Sequence, residues 1–217
     1  FAALFPGQGS QAVGMLADFE DDCPEIQATF TEASDALGYD LWTLSQDGPA
    51  EQLSLTEITQ PLLLTAGVAL YRAWTAARGT DASFMAGHSL GEYTALTAAG
   101  SLQLADAVRL VRSRGQFMQE AVPKGVGAMA AVIGLDDATI ESVCAEVASE
   151  TGLVIEPVNY NAPGQLVIAG HAQAIDASLP RLKEAGAKRA LPLPVSAPFH
   201  CALMKPAAER LQEELNA

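Results

Sequence analysis

Five residues constrain this chain more than any others: Gly87-His88-Ser89-Leu90-Gly91. Two glycines, each two positions from one serine, fit a backbone turn too crowded for a Cβ at its flanks. The pattern suits a sharp strand-to-helix turn that lifts the central side chain clear of the chain. Its surroundings agree. Ser83-Phe84-Met85-Ala86 is a short apolar run expected to form a buried strand. Residues 90–99, rich in Ala, Leu and Gly, read as a helix able to pack close to a sheet. Ser89 then stands at a helix N-terminus, where free N–H groups and the dipole favour developing negative charge. A serine so placed is a candidate nucleophile. The bare pattern also arises by chance in loops, so the flanking strand and helix carry the argument.

Composition narrows the class. Of 217 residues, 49% are hydrophobic and 18% charged, enough apolar material for a core and one or two domains. No apolar run reaches the ~18 residues of a membrane span. No charged-then-apolar leader opens the chain, and three widely spaced cysteines (Cys23, Cys144, Cys201) suggest neither a disulfide framework nor a metal site. A cytoplasmic protein without membrane contact is the expectation. A net charge of −14 argues against nucleic acid as a partner.

Along the chain, Phe1 to Phe5 is apolar and of strand length, and Pro6-Gly7-Gln8-Gly9-Ser10-Gln11 follows. This loop lacks the spacing of a phosphate cradle, so the residues alone point to a tight strand-to-helix turn. Residues 18–25 are acidic, as a solvated face is. A helix is expected over 26–37, closed by Gly38. Thr59-Gln60-Pro61 is expected to open another, with proline in its first turn and Gly79 at its end. A third is expected over 104–118. In it, the helical neighbours of Arg114 are Leu110, Val111, Phe117 and Met118, all apolar. Arg109 and Arg112 lack that setting. A guanidinium turned inward needs an anion. The residues leave open whether that is an internal carboxylate, the commoner arrangement, or a ligand carboxylate.

From Gly125 onward the pattern reads strand (127–135), helix (137–150), strands (153–160 and 165–169), helix (172–185) and strand (189–195). Asn161-Ala162-Pro163-Gly164 makes the hairpin loop. The order β-α-β-β-α-β is that of a ferredoxin-like unit, taken as an insert over 125–194. Ser196-Ala197-Pro198-Phe199-His200-Cys201 follows, then a helix over 203–215. His200 is a candidate base, with His88 and His171 as competitors. His88 sits beside Ser89 in the turn, and His171 at a helix entry. Cys201 lacks the turn context and reads as packing.

Five motifs then agree in order: Pro6-Gly7-Gln8-Gly9-Ser10-Gln11, Gly87-His88-Ser89-Leu90-Gly91-Glu92-Tyr93, Arg114-Gly115-Gln116-Phe117-Met118-Gln119, Asn161-Ala162-Pro163-Gly164-Gln165 and Ser196-Ala197-Pro198-Phe199-His200. From end to end the chain resembles the malonyl-CoA:acyl-carrier-protein transacylases of bacterial fatty-acid synthesis. The related acyltransferase domains of polyketide synthases match less well. The resemblance implies an α/β fold: an α/β-hydrolase-like core with a parallel sheet over 1–124 and 195–217, carrying the small subdomain over 125–194. It implies Ser89 as nucleophile and His200 as general base. It implies an oxyanion hole from the backbone N–H groups of Gln8 and Leu90, Arg114 on the malonyl carboxylate, and Gln60 lining the pocket. Phe199 would crowd out a 2-methyl branch. Malonyl-CoA and acyl carrier protein are the implied partners, with no cofactor and a monomeric chain. Arg181, Lys183, Lys188, Arg189, Lys205 and Arg210 hold half of the 12 basic residues and form a candidate surface for carrier or CoA phosphates. Family members extend past this chain's last helix, so the C-terminal part of the family fold is expected to be absent, and no residue here is assigned to orient His200. The alternatives are a serine thioesterase or hydrolase, and a non-catalytic carrier-binding fragment.

Overall fold

The structure is a computed structural model that describes residues 1–19, 22–78, 80–195 and 197–216. Glu20 and Asp21 of the acidic stretch, the expected helix end at Gly79, and Ser196 lie outside the described residues. The fold is mixed α/β with one parallel and one antiparallel sheet. The chain divides into two compact units, 1–116 and 117–217. No helix among the described residues is long and apolar enough to cross a membrane.

The first unit holds strand β1 (Ala2–Phe5), helices α1 (Pro24–Leu37), α2 (Leu41–Asp47), α3 (Ala50–Leu53) and α4 (Thr56–Arg78), strand β2 (Phe84–Gly87), α5 (Leu90–Ala98) and most of α6 (Leu104–Glu120). β1 and β2 pair in parallel, Phe5 opposite Gly87. Parallel pairing needs a long crossover, and α1–α4 supply it. Their apolar faces meet those of α5 and α6 in one core that includes Ile26, Phe30, Leu41, Leu62, Leu64, Leu90, Val108 and Val111. Phe30 is fully buried and meets Trp42 edge-on, ring centroids 4.9 Å apart.

Several expectations change here. β2 is not buried: Phe84 is 76% exposed, because alternate side chains of a two-stranded sheet point away from the helices. The loop after β1 does not turn into a helix; no helical residue follows until a 3₁₀ turn at Ala17–Phe19. α4 starts at Thr56, so Pro61 lies in its second turn. Ile58 and Thr59 both donate N–H bonds to the Leu55 carbonyl, which starts the helix upstream of the proline. Pro61 removes only the bond to the Glu57 carbonyl. α2 and α3 were not expected at all. Asp40 caps α2 by accepting from the Thr43 N–H at 2.9 Å.

The second unit holds β3 (Gly127–Ile133), α7 (Asp137–Thr151), β4 (Ile155–Ala162), β5 (Gln165–His171), α8 (Ala172–Glu184), β6 (Arg189–Pro192) and α9 (Lys205–Leu215). The sheet order is β4-β5-β3-β6, all neighbours antiparallel. β4 and β5 close a hairpin at Ala162 and Gln165, with Gly164 at φ 72°. Side chains alternate along the strands. Ala130, Val132, Leu166 and Ile168 pack with Ile140, Val147, Ile175 and Leu182 of the two helices. Met129, Val167 and Ala169 pack with Phe199, Cys201 and Met204.

Candidate active site

Ser89 sits between β2 and α5 at φ 52° and ψ −105°, a left-handed backbone that non-glycine residues avoid. The turn holds it there by sterics. A Cβ on Gly87 would fall 1.8 Å from the Gly91 carbonyl carbon, and one on Gly91 would fall 2.2 Å from the Phe5 carbonyl oxygen. The His88 N–H donates to that same Phe5 oxygen at 3.0 Å, fastening the turn to the end of β1. Such strain persists only where surrounding contacts over-determine it. Leu90 opens α5 and is 1% exposed. Its N–H is one of the first in the helix, where no intrahelical acceptor exists.

The loop after β1 abuts the serine turn. A Cβ on Gly7 would lie 2.8 Å from His88 Nδ1, and one on Gly91 2.9 Å from the Pro6 carbonyl oxygen. Glycine here serves close approach, which the loop's spacing could not reveal. The loop is braced by the Ser10 hydroxyl donating to the Gly7 carbonyl at 3.0 Å and the Gly9 N–H donating to Gln11 Oε1 at 2.9 Å. Gln8 is exposed and donates from Nε2 to Thr56 Oγ1 at 3.3 Å.

Arg114 reaches the nucleophile from α6. Its Nη2 donates to Ser89 Oγ at 3.1 Å, and its Nη1 donates to Gln60 Oε1 at 2.7 Å. Gln60 is fully buried. The guanidinium carbon lies 5.4 Å from the centre of the Tyr93 ring. Burial pulls the pKa of Arg114 below its ordinary value, with Tyr93 and Glu92 opposing. None of the four ion pairs among the described residues involves Arg114. The internal carboxylate that an inward arginine usually finds is therefore replaced by two neutral acceptors. A guanidinium has five N–H donors, so donors remain for a further acceptor.

Ser89, Arg114 and Gln60 are thus joined by direct hydrogen bonds, and Gln8 is tied to the same start of α4. His200 belongs to the second unit. It is exposed, at φ 68°, in the turn after buried Phe199. Its positive φ is like that of Ser89, but no residue pattern announced it. His171 is structural: it occupies the N-cap of α8, and its Nδ1 accepts from the Val154 N–H at 3.0 Å. Cys201 is buried, donates to the Pro198 carbonyl at 3.1 Å, and has its thiol pKa raised by that burial. Burial pushes Cys144 up to about 12. Neither is a thiolate at neutral pH.

Sequence reasoning missed Thr56 and Glu57, and gave no role to Tyr93 and Gln116, which it met only as members of motifs. Gln116 Nε2 donates to Glu57 Oε2 at 2.7 Å. One signal was available. Gly115 interrupts an otherwise good helix, and an isolated helical glycine usually marks a close approach. A Cβ there would lie 2.6 Å from the Thr56 carbonyl oxygen.

Comparison with known proteins follows the same lines. The family model described as acyl transferase domain matches residues 3–217. The malonyl CoA-acyl carrier protein transacylase of Escherichia coli K12 is 63% identical over 215 residues, covering 99% of this chain and 69% of that protein. The solved structure of malonyl CoA-acyl carrier protein transacylase from Coxiella burnetii superposes with a TM-score of 0.97 at 54% identity, over 100% of this chain and 68% of that one. A malonyl-transacylase solved in complex with a type II PKS acyl-carrier protein gives a TM-score of 0.97 at 56% identity, over 100% and 69%.

Proposed function

We propose, from the premise that this chain belongs to the acyl transferase domain family, that it moves the malonyl group of malonyl-CoA to the phosphopantetheine thiol of acyl carrier protein in fatty acid synthesis. One observation carries the reading. A serine hydroxyl in a strained turn lies 3.1 Å from a guanidinium that has no carboxylate partner among the described residues. That pairing suits an acyl thioester whose acyl group ends in a carboxylate. The relatives named above are malonyl transacylases, and one was solved with a carrier protein.

The route has two half-reactions. Ser89 Oγ attacks the thioester carbonyl while its proton passes to His200. The oxyanion accepts from the N–H groups of Gln8 and Leu90, a kind of contact worth ~10²–10³ in turnover per donor. The C–S bond breaks, and His200 returns the proton to the CoA sulfur, leaving a malonyl ester on Ser89. The carrier's thiol then gives its proton to His200 and attacks the ester carbonyl; the ester C–O bond breaks, and His200 passes the thiol's proton to Ser89 Oγ. Arg114 holds the malonyl carboxylate throughout, by a paired N–H contact. Gln60 fixes the far side of the guanidinium. The role of His200 rests on its motif and on family membership. The acyl group arrives already activated as a thioester, so this route calls for no cofactor.

The finer architecture belongs to the same reading. In this reading residues 1–124 and 195–217 are the parts of an α/β-hydrolase-like core and 125–194 a ferredoxin-like subdomain, although 117–217 packs as one compact unit. The β-α-β-β-α-β element order and the interleaved sheet order support the latter. A cytoplasmic monomer fits the acidic composition and the free cysteines.

Mass spectrometry after incubation with malonyl-CoA tests the function. The expected result is one malonyl adduct on Ser89, none in Ser89→Ala, and discharge of the adduct onto added holo-carrier. Discharge as free malonate would make the protein a hydrolase. A chain that never acquires malonyl would be a non-catalytic carrier-binding fragment.

A further inference from the structure

The start of α4 meets both the loop after β1 and the functional stretch of α6. Thr56 accepts from Gln8 of the loop after β1. Gln60, one turn on, accepts from Arg114. Between them, Glu57 accepts from Gln116 at 2.7 Å, a charge-assisted bond. Arg114, Gly115 and Gln116 are consecutive in α6, so three successive residues meet one turn of α4. Gly115 sets the separation: its absent Cβ would lie 2.6 Å from the Thr56 carbonyl oxygen and 2.8 Å from the Glu57 Cα and N. Bare backbone contact fixes how near the helices come, but it does little to fix sliding or rotation. Directional bonds do that, and two are described, from the residues on either side of Gly115: Arg114 to Gln60 and Gln116 to Glu57. Arg114–Gln60 is part of the site itself. Gln116–Glu57 is not.

We propose that Glu57 and Gln116 are positioning residues for acyl selection. Their bond seats the first turn of α4 against α6, so that Gln60 Oε1 stays on one Nη of Arg114 and turns the rest of the guanidinium towards Ser89. A paired contact with a carboxylate tolerates only ~10–20° of misorientation. An arginine pinned at one nitrogen meets that demand, and an arginine swinging on its long side chain does not. The inference rests on the malonyl-transfer reading. Its consequence is specific: losing the Gln116–Glu57 bond harms loading of an acyl group that carries a carboxylate and spares one that does not.

The test compares serine loading from malonyl-CoA and acetyl-CoA in the full chain. Gln116→Leu and Glu57→Leu remove the bond. Glu57→Gln keeps an acceptor, and the exchange Glu57→Gln with Gln116→Glu restores a donor–acceptor pair in reverse. The Leu variants are expected to lower malonyl kcat/KM by about 10-fold, chiefly through KM, with acetyl loading within about 2-fold of the parent. Glu57→Gln and the exchange recover most of the loss. In an Arg114→Ala background, Gln116→Leu changes the malonyl-to-acetyl ratio no further, because its effect runs through Arg114. Equal loss for both acyl groups, or an unchanged ratio in folded Leu variants, would overturn the inference while leaving the malonyl reading intact. If thermal melting shows either Leu variant unfolded, Gln116→Ala and Glu57→Ala, which also remove the bond, decide by the same ratio. A parent chain that loads no malonyl at all overturns both.

Discussion

Arg114 is the residue on which selectivity turns, and its own chemistry says how much. It holds two neutral acceptors, Gln60 and Ser89, while burial works against its charge. A carboxylate arriving beside it restores what burial removes. Hydrogen bonds to charged groups contribute ~1.5–3 kcal/mol, so Arg114→Ala is expected to lower malonyl kcat/KM by ~10–10² and to raise the relative use of acetyl-CoA. Arg114→Lys is expected to recover little, because an ammonium has no planar fork for a paired contact and cannot hold Gln60 and a carboxylate in the same plane. Competition between malonyl-CoA and acetyl-CoA, read as the ratio of adducts on Ser89, checks both variants. Malonyl preference surviving in Arg114→Ala would remove the clamp from the mechanism. At this scale the sequence was readable where sterics are local. Gly87 and Gly91 declared the turn around Ser89, and the apolar neighbours of Arg114 declared its inward aim. It was silent on the Arg114–Gln60 bond, whose partners are 54 residues apart, and on the left-handed backbone of His200.

Elements were legible in proportion to how far their own residues determine them. α1 is legible because its apolar residues keep helical spacing and Gly38, at φ 78°, ends it; it starts at Pro24, two residues before the expected start, because Pro24 and Glu25 belong to its first turn and not to the acidic stretch. α2 and α3 were not, because they are short and depend on a cap and a core. Leu41 and Leu53 are buried against the other helices, and no periodicity of a four- or seven-residue segment announces that. Asp40, which starts α2, has a counterpart in Asp136, which starts α7 by accepting from the Thr139 N–H and hydroxyl. At Asp40 the Thr43 N–H, then its hydroxyl, hold the carboxyl pKa below its usual value. At Asp136 the Thr139 hydroxyl, then its N–H, do the same. The sign follows from the direction. A folded pKa below the unfolded ~3.9 means the caps contribute fully above that pH and lose their contribution as pH falls through the lowered folded value. Asparagine caps equally well without titrating. Asp40→Asn and Asp136→Asn are therefore expected to flatten the acid limb of stability and leave neutral stability nearly unchanged. Urea midpoints between pH 2.5 and 7 check this. An acid limb identical to the parent's would show that the caps do not couple to folding.

For the molecule as a whole, charge is unevenly divided. The first unit, 1–116, carries five arginines, no lysine and fourteen acidic residues; the second carries seven basic residues, including all four lysines, against twelve acidic ones. A partner that is itself acidic has little to meet on the first unit, where Arg72 and Arg109 already pair with Glu32 and Asp106. On the second unit the six-residue basic group loses two members to internal pairs: Arg181 to Glu150, and Arg210 to Glu120 and the Phe117 ring. Position along the chain had made all six look alike. Lys183, Lys188, Arg189 and Lys205 are exposed, and the aliphatic stem of Lys188 lies over Gly134. If an acidic carrier docks through this group, reversing two of its charges should act on encounter and not on chemistry. Lys188→Glu with Arg189→Glu is expected to slow malonyl transfer to holo-carrier by about 10-fold at low salt and by much less near 0.5 M salt, where the screening length shrinks to a few ångströms. Loading of Ser89 from malonyl-CoA in the same variant reports whether CoA phosphates share the surface: unchanged loading reserves it for the carrier. A transfer rate indifferent both to the reversal and to salt would move carrier docking off these four side chains.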